Sequence, residues 1–137
     1  MGLLDRFRKK KKVDVVVEAK KTITELEQLC GDDKETYEAL HHTMFLDPRK
    51  VGTSMKEAAT NAKEYEKGED FIKARLWYEI AGGLAIYEGN VIKVIEYFGE
   101  LQKILREKLS QSGEYPILKI PEKAVAKAQE FYAMHLK

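Results

Sequence analysis

A chain of 137 residues suffices for one domain with a buried core, and 44% hydrophobic with 34% charged residues excludes a disordered or membrane-embedded class. The net charge of +1 hides an asymmetry: residues 1–12 hold Arg6, Arg8, Lys9, Lys10, Lys11 and Lys12 against Asp5, so residues 13–137 carry −4 by difference. A mildly acidic body argues against a general nucleic-acid binder, which presents a broad basic face.

Only three prolines interrupt a chain rich in Ala, Leu, Glu and Lys, so helix is the default expectation. The single cysteine, Cys30, has no intrachain partner. The basic run follows Leu3 and Leu4 instead of preceding an apolar core, which does not fit a secretory leader. No apolar run approaches the ~20 residues of a bilayer span. The expected location is the cytoplasm.

The first helix is predicted from about Val13 to Cys30, with Val16, Ala19, Ile23, Leu26 and Cys30 on one face and Gly31 as its stop. Its β-branched opening also reads as a strand, but no second strand candidate exists to pair with it. Asp32 with Glu35 has capping-box spacing for a second helix carrying Tyr37, Leu40, Met44 and Phe45, ended by Leu46-Asp47-Pro48. Ser54 and Glu57 repeat that spacing and open a third helix with Met55, Ala58, Ala59, Ala62 and Tyr65 inward, closed by Gly68.

The fourth helix is predicted from Asp70 or Phe71 to about Glu88. Phe71, Ala74, Tyr78, Ala81 and Ala85 form one face and Trp77, Ile80, Leu84 and Tyr87 another. Together they span roughly 200° of the circumference, twice the stripe of a surface helix, so this is the expected central rod. Small residues at 74, 81, 82, 83 and 85 suggest close packing, nearer than the usual ~8–10 Å between axes. Two helix-interior glycines cost ~1 kcal/mol each, and a kink at Gly82-Gly83 is the alternative. Gly89-Asn90 then stops this helix and caps a fifth, with Val91, Val94, Ile95, Phe98, Leu101, Leu105 and Leu109 opposite Lys93, Glu96, Glu100 and Glu107. After a loop over 110–120, Pro121 suits the first turn of a last helix bearing Ala124, Val125, Ala128, Phe131 and Tyr132.

The frame Gly68-x-Asp70-Phe71-x-x-Ala74-x-x-x-Tyr78-x-x-Ala81, echoed at Gly89-Asn90-Val91-x-x-Val94-x-x-x-Phe98-x-x-Leu101, resembles the second half of a tetratricopeptide (TPR) repeat. Leu46-Asp47-Pro48 is similar to the proline-ended close of such a repeat. The glycines lie 21 residues apart where that family's period is 34, so the likeness is to a TPR-like array over about 33–109 and not to regular tandem repeats. Residues 54–109 also resemble the MIT (microtubule-interacting and trafficking) domain. The resemblance implies a partner-binding scaffold without catalytic apparatus, docking a helix or peptide between helices.

Catalytic and metal chemistry finds no support in the residues. His41 and His42 are adjacent and point ~100° apart on a helix, and His41 and His135 read as core or boundary residues. No H-E-x-x-H motif, carboxylate–histidine pair or cysteine cluster is present, and Cys30 falls on a core stripe. No metal, cofactor or catalytic residue is therefore expected.

Two surface features remain. Leu3, Leu4 and Phe7, with Arg6, Arg8, Lys9, Lys10, Lys11 and Lys12, form a basic amphipathic arm suited to peripheral contact with an anionic membrane, each basic residue contributing ~1 kcal/mol; a solubilising arm is the alternative. Arg6 in place of Ser or Thr excludes a myristoylation signal. Lys56, Lys63 and Lys67 on the third helix, with Tyr97 on the charged side of the fifth, suggest a groove for an acidic helix or peptide; burial of Tyr97 under the 110–120 loop explains the tyrosine equally.

The expectation is an arm at 1–12 and one all-α domain at 13–137, built as five or six antiparallel helices in a TPR-like array or bundle. The expected role is a non-enzymatic interaction or adaptor module for a protein or peptide partner. The alternatives are a small all-α enzyme or ligand-binding protein with a pocket near Gly82-Gly83 lined by Trp77, Tyr78 and Tyr87, and RNA binding through the lysine arm.

Overall fold

The structure, a computed structural model, describes residues 24–136. Within them six helical segments pack together without a strand: α1 (24–30), α2 (Lys34–His41), α3 (Met55–Lys67), α4 (Phe71–Glu88), α5 (Val91–Glu107) and α6 (Pro121–His135), with 3-10 turns at Pro48–Lys50 and Pro116–Leu118. No described helix is long and apolar enough to cross a membrane. Residues 1–12, expected as a basic arm, and residues 13–23, expected to open the first helix, lie outside the described residues.

Polar side chains set the helix starts. Ser54, Asp70 and Asn90 accept from the backbone N–H three residues on, at 3.1, 3.2 and 3.1 Å. Pro121 stands at the first position of α6, where its missing N–H costs nothing. The cap of α2 is Asp33, one residue beyond the expected Asp32, and its partner is Thr36 and not Glu35. Thr36 donates both its N–H and its hydroxyl to the Asp33 carboxylate, at 3.1 and 2.7 Å, and Lys123 of α6 reaches the same group at 2.7 Å. A tertiary ion pair therefore selects between two adjacent aspartates.

Helix α2 also ends earlier than its apolar pattern predicts. Both Thr43 and Met44 donate to the Leu40 carbonyl, closing the last turn, so Met44 and Phe45 reach the interior from an irregular segment. At the α3–α4 corner the left-handed residue is Glu69 (φ 60°), while Gly68 keeps a negative φ. Gly89 does take the left-handed form (φ 71°), and Gln129 of α6 donates to the last-turn carbonyls of Ile86 and Tyr87 at 2.7 and 3.0 Å.

Helix α4 is the centre, packed against α3, α5 and α6. Residues 81 to 86 are all buried, six in succession, so the rod is enclosed on every side over that stretch. It runs unbroken through Gly82-Gly83. A Cβ on Gly82 would lie 2.5 Å from Cε2 of Phe98, and one on Gly83 would run into the ring of Phe45. The room left by the two glycines is thus filled by aromatic rings from α5 and from the segment after α2. Of the residues expected to line a pocket there, Trp77 and Tyr87 are half-buried. Tyr78 is buried and donates its hydroxyl to Glu66 of α3 at 2.7 Å, and Tyr87 packs edge-on to Tyr132, 5.1 Å between centroids.

The stripe of α5 is turned relative to expectation. Val94, Tyr97, Phe98, Leu101, Ile104 and Leu105 are buried, whereas Ile95, expected inside, is 46% exposed.

Candidate functional site

Leu76, 52% exposed, and Ile72, 73% exposed, stand one turn apart on the first half of α4, which otherwise buries apolar residues. Arg75 and Glu79 fall on the same side, so 72, 75, 76 and 79 form one helical face. Across the seam stand Gln102 and Leu105 of α5, with Leu109 just beyond the end of that helix. Two surface cavities lie along this seam. One, of about 350 Å³, is lined by Phe71, Ile72 and Leu109 with the corner residues Gly68, Glu69 and Asp70. The other, of about 450 Å³, includes Arg75, Glu79, Gln102, Leu105, Tyr115 and His42 in its lining. Both draw on α4, Ile72 and Phe71 for the first and Arg75 and Glu79 for the second, but they have no lining residue in common: a trough in two separate parts, one at the α3–α4 corner and a polar one against the 111–116 loop.

The polar end is built through the core. Gly82 admits the Phe98 ring, and Phe98 supports the ring of Tyr115, 5.6 Å between centroids. Gln102, nearly fully buried, donates to the Gly113 carbonyl at 2.6 Å and accepts from the Tyr115 N–H at 2.8 Å, so one amide pins the loop at two points. The Tyr115 hydroxyl donates to Glu79 at 3.1 Å, and Arg75 Nε donates to the same carboxylate oxygen at 3.2 Å. Burial, with the Glu79 charge second, pushes the Tyr115 phenol up to about 12. It is a neutral hydrogen-bond donor throughout the physiological range, while the side chains of Arg75 and Glu79 are partly exposed to solvent. At the apolar end Lys108 sits over the Phe71 ring at 5.4 Å and Lys73 approaches Asp70 at 3.9 Å.

The buried Cys30 thiol is pushed up by desolvation, the opposite of what a reactive thiol needs. Among the described residues no group of three or more His, Cys, Asp or Glu is placed to hold a metal ion.

Lys56, Lys63 and Lys67 are exposed on one face of α3. Tyr97, expected as a surface contact, is 5% exposed and belongs to the core, with Lys93 over its ring at 5.6 Å. The turn of α5 that exposes Ile95 carries Tyr97 inward, which removes it from any docking surface. The membrane-contact candidates Leu3, Leu4, Arg6, Phe7, Arg8, Lys9, Lys10, Lys11 and Lys12 lie outside the described residues. His41 is exposed and stacks on Tyr37 at 5.3 Å rather than entering the core, and His135 pairs with Glu25 at 3.3 Å.

One signal of the trough is present in the sequence: Ile72 and Leu76, four apart, fit neither apolar stripe of α4. The contribution of residues 111–116 carries no periodicity and is set by the Gln102 bonds. No protein-family model, curated protein or solved structure matches this chain.

Proposed function

We propose that this protein is a non-enzymatic interaction module of TPR-like, antiparallel helical-hairpin build that docks a helix or peptide in the trough between α4 and α5. The observation that carries this reading is one face of α4 on which Ile72 and Leu76 stand exposed, with Ile72 lining one surface cavity and its neighbours Arg75 and Glu79 lining another. Apolar side chains held in solvent beside a groove favour a partner that covers them, and an amphipathic helix or extended peptide meets such a groove with anchors spaced by three or four residues. The polar end supplies orientation: Arg75, Glu79 and the Tyr115 hydroxyl are held in place by one another and by Gln102 before any partner arrives. Preorganisation of this kind lowers the ordering cost of binding.

The test is a displayed peptide library selected against the full chain, followed by calorimetry on the variants Ile72→Glu and Leu76→Glu. Both residues are exposed, so the fold tolerates the changes within about 0.5 kcal/mol. The expected result is a loss of about tenfold or more in affinity, or about 1.4 kcal/mol. Selected peptides that bind both variants as tightly as the parent would refute the assignment.

A further inference from the structure

We infer that the protein associates with itself edge to edge, the outer face of α3 in one copy lying antiparallel on the outer face of α5 in the next. The contact is separate from the peptide-docking reading of α4 and stands or falls without it.

Unpaired charge marks the first edge. Lys56, Thr60, Lys63 and Lys67 fall within an arc of ~60° on α3, and all four are exposed. Elsewhere on the surface Lys73, Lys93, Lys123 and Lys127 each meet a carboxylate. Among the described residues none of the three lysines on α3 is in an ion pair. The carboxylates of the same helix stand elsewhere: Glu66 accepts from Tyr78, and Glu57 and Glu64 lie about a quarter-turn round from the stripe.

The second edge carries the complement in reverse. Ile92, Glu96, Glu100, Lys103 and Glu107 share an arc of ~80° on α5, turned away from its buried face. Their spacings of four, four, three and four residues are those of positions 56, 60, 63, 67 and 71 read backwards. Laid antiparallel with Lys63 opposite Glu100, the stripes put Lys56 opposite Glu107 and Lys67 opposite Glu96. Lys103, the one cation of the α5 stripe, then meets Thr60, the one uncharged residue of the α3 stripe. A slip of one turn in either direction sets Lys103 against Lys56 or Lys63, so the charges fix the register. Among the described residues Glu100 and Glu107 are in no ion pair, and Glu96 holds only Lys93, leaving acceptor capacity for a second cation.

The apolar residue of the stripe is matched as well. Ile92, 78% exposed, is the most exposed of the large apolar side chains. In this register it overshoots the end of α3 by one turn and arrives opposite position 71, where Phe71 and Ile72 line the corner cavity of about 350 Å³. Its burial there adds to charge pairs that at an exposed edge are each worth little.

The lysine stripe is only ~17 Å long, so the contact is smaller than a permanent interface, and the association is weak and sensitive to salt. The two faces differ, so each copy keeps one free edge of each kind and copies add head to tail.

The test is sedimentation velocity of the full chain over a range of concentrations at low and high salt. The expected result is a mean mass that rises with concentration and falls with salt. Lys63→Glu, Glu100→Lys and Ile92→Ser each lower the association constant about fivefold or more, with far-ultraviolet circular dichroism unchanged. Lys63→Glu combined with Glu100→Lys restores the parent value, whereas Lys63→Glu combined with Glu107→Lys does not, because position 107 faces Lys56. A chain that stays monomeric at every concentration in low salt overturns the contact; if it then sediments with phosphatidylglycerol vesicles unless Lys63→Glu is present, the stripe belongs to a membrane. Single variants that leave the association unchanged, or equal rescue by Glu107→Lys, overturn it too. Failure of the peptide reading shows separately, in Leu76→Glu, which lies outside both edges.

Discussion

Replacing Gly82 by alanine separates two effects that act in opposite directions. Alanine gains ~1 kcal/mol over glycine within a helix. At this position its Cβ would lie 2.5 Å from Cε2 and 2.7 Å from Cζ of Phe98, closer than side chains tolerate. Phe98 is 1% exposed and stacked towards Tyr115, so the ring cannot swing into solvent, and overpacking of this kind costs ~1–3 kcal/mol. The net expectation is a destabilisation of ~0–2 kcal/mol.

Gly99→Ala is the control. It lies inside α5 with no heavy atom within 4 Å of the added carbon, so only the propensity gain of ~1 kcal/mol applies. The difference between the two substitutions isolates the steric cost at ~1–3 kcal/mol. Urea denaturation followed by circular dichroism measures both, with m unchanged if the transition stays two-state. Gly83→Ala should fall between them, because Phe45 is only half-buried and can yield. Adding Phe98→Leu to Gly82→Ala should recover part of the loss through non-additivity. If Gly82→Ala stabilises the protein as much as Gly99→Ala does, the account of the α4–α5 crossing is wrong.

Other expectations follow from single contacts. Gln102→Leu strips the Gly113 carbonyl and Tyr115 N–H of their side-chain partner, at ~1–3 kcal/mol, and hydrogen exchange should accelerate selectively at Tyr115; uniform protection would contradict the pinning role. Tyr97→Ala should cost ~3–5 kcal/mol, as for a core aromatic, and a change under ~0.5 kcal/mol would return Tyr97 to the surface. Lys123, with Thr36 second, holds the Asp33 carboxyl down at about 2 against an ordinary 3.8. A depressed folded-state value means that its contribution is complete above the ordinary value and is lost as pH falls from about 4 through about 2. Asp33→Asn should flatten the urea midpoint across that window, and an unchanged slope would dismiss the Lys123 pair. Tyr115, raised to about 12 from 10.0, favours the fold below 10.0 and ceases to do so as pH climbs through about 12; ultraviolet titration should show this phenol ionising earlier once Glu79→Gln removes the neighbouring charge.

Capping and period made α3, α4 and α5 legible in the sequence, because Ser54, Asp70 and Asn90 act through bonds three residues away that need no distant partner. The breadth of the α4 apolar surface likewise announced a central rod, since a helix apolar on most sides has to be enclosed. What the sequence left open turned on neighbours. Asp32 and Asp33 are equivalent caps until Lys123 arrives from α6. Ile95 and Tyr97 flank the same Val94–Phe98 line, and only the rotation of α5 against its neighbours decides which is buried. The trough depends on tertiary placement for the same reason: Tyr115 meets Glu79 across 36 residues of chain, held there by Gln102 and Phe98, and no local pattern encodes a contact made between separate elements.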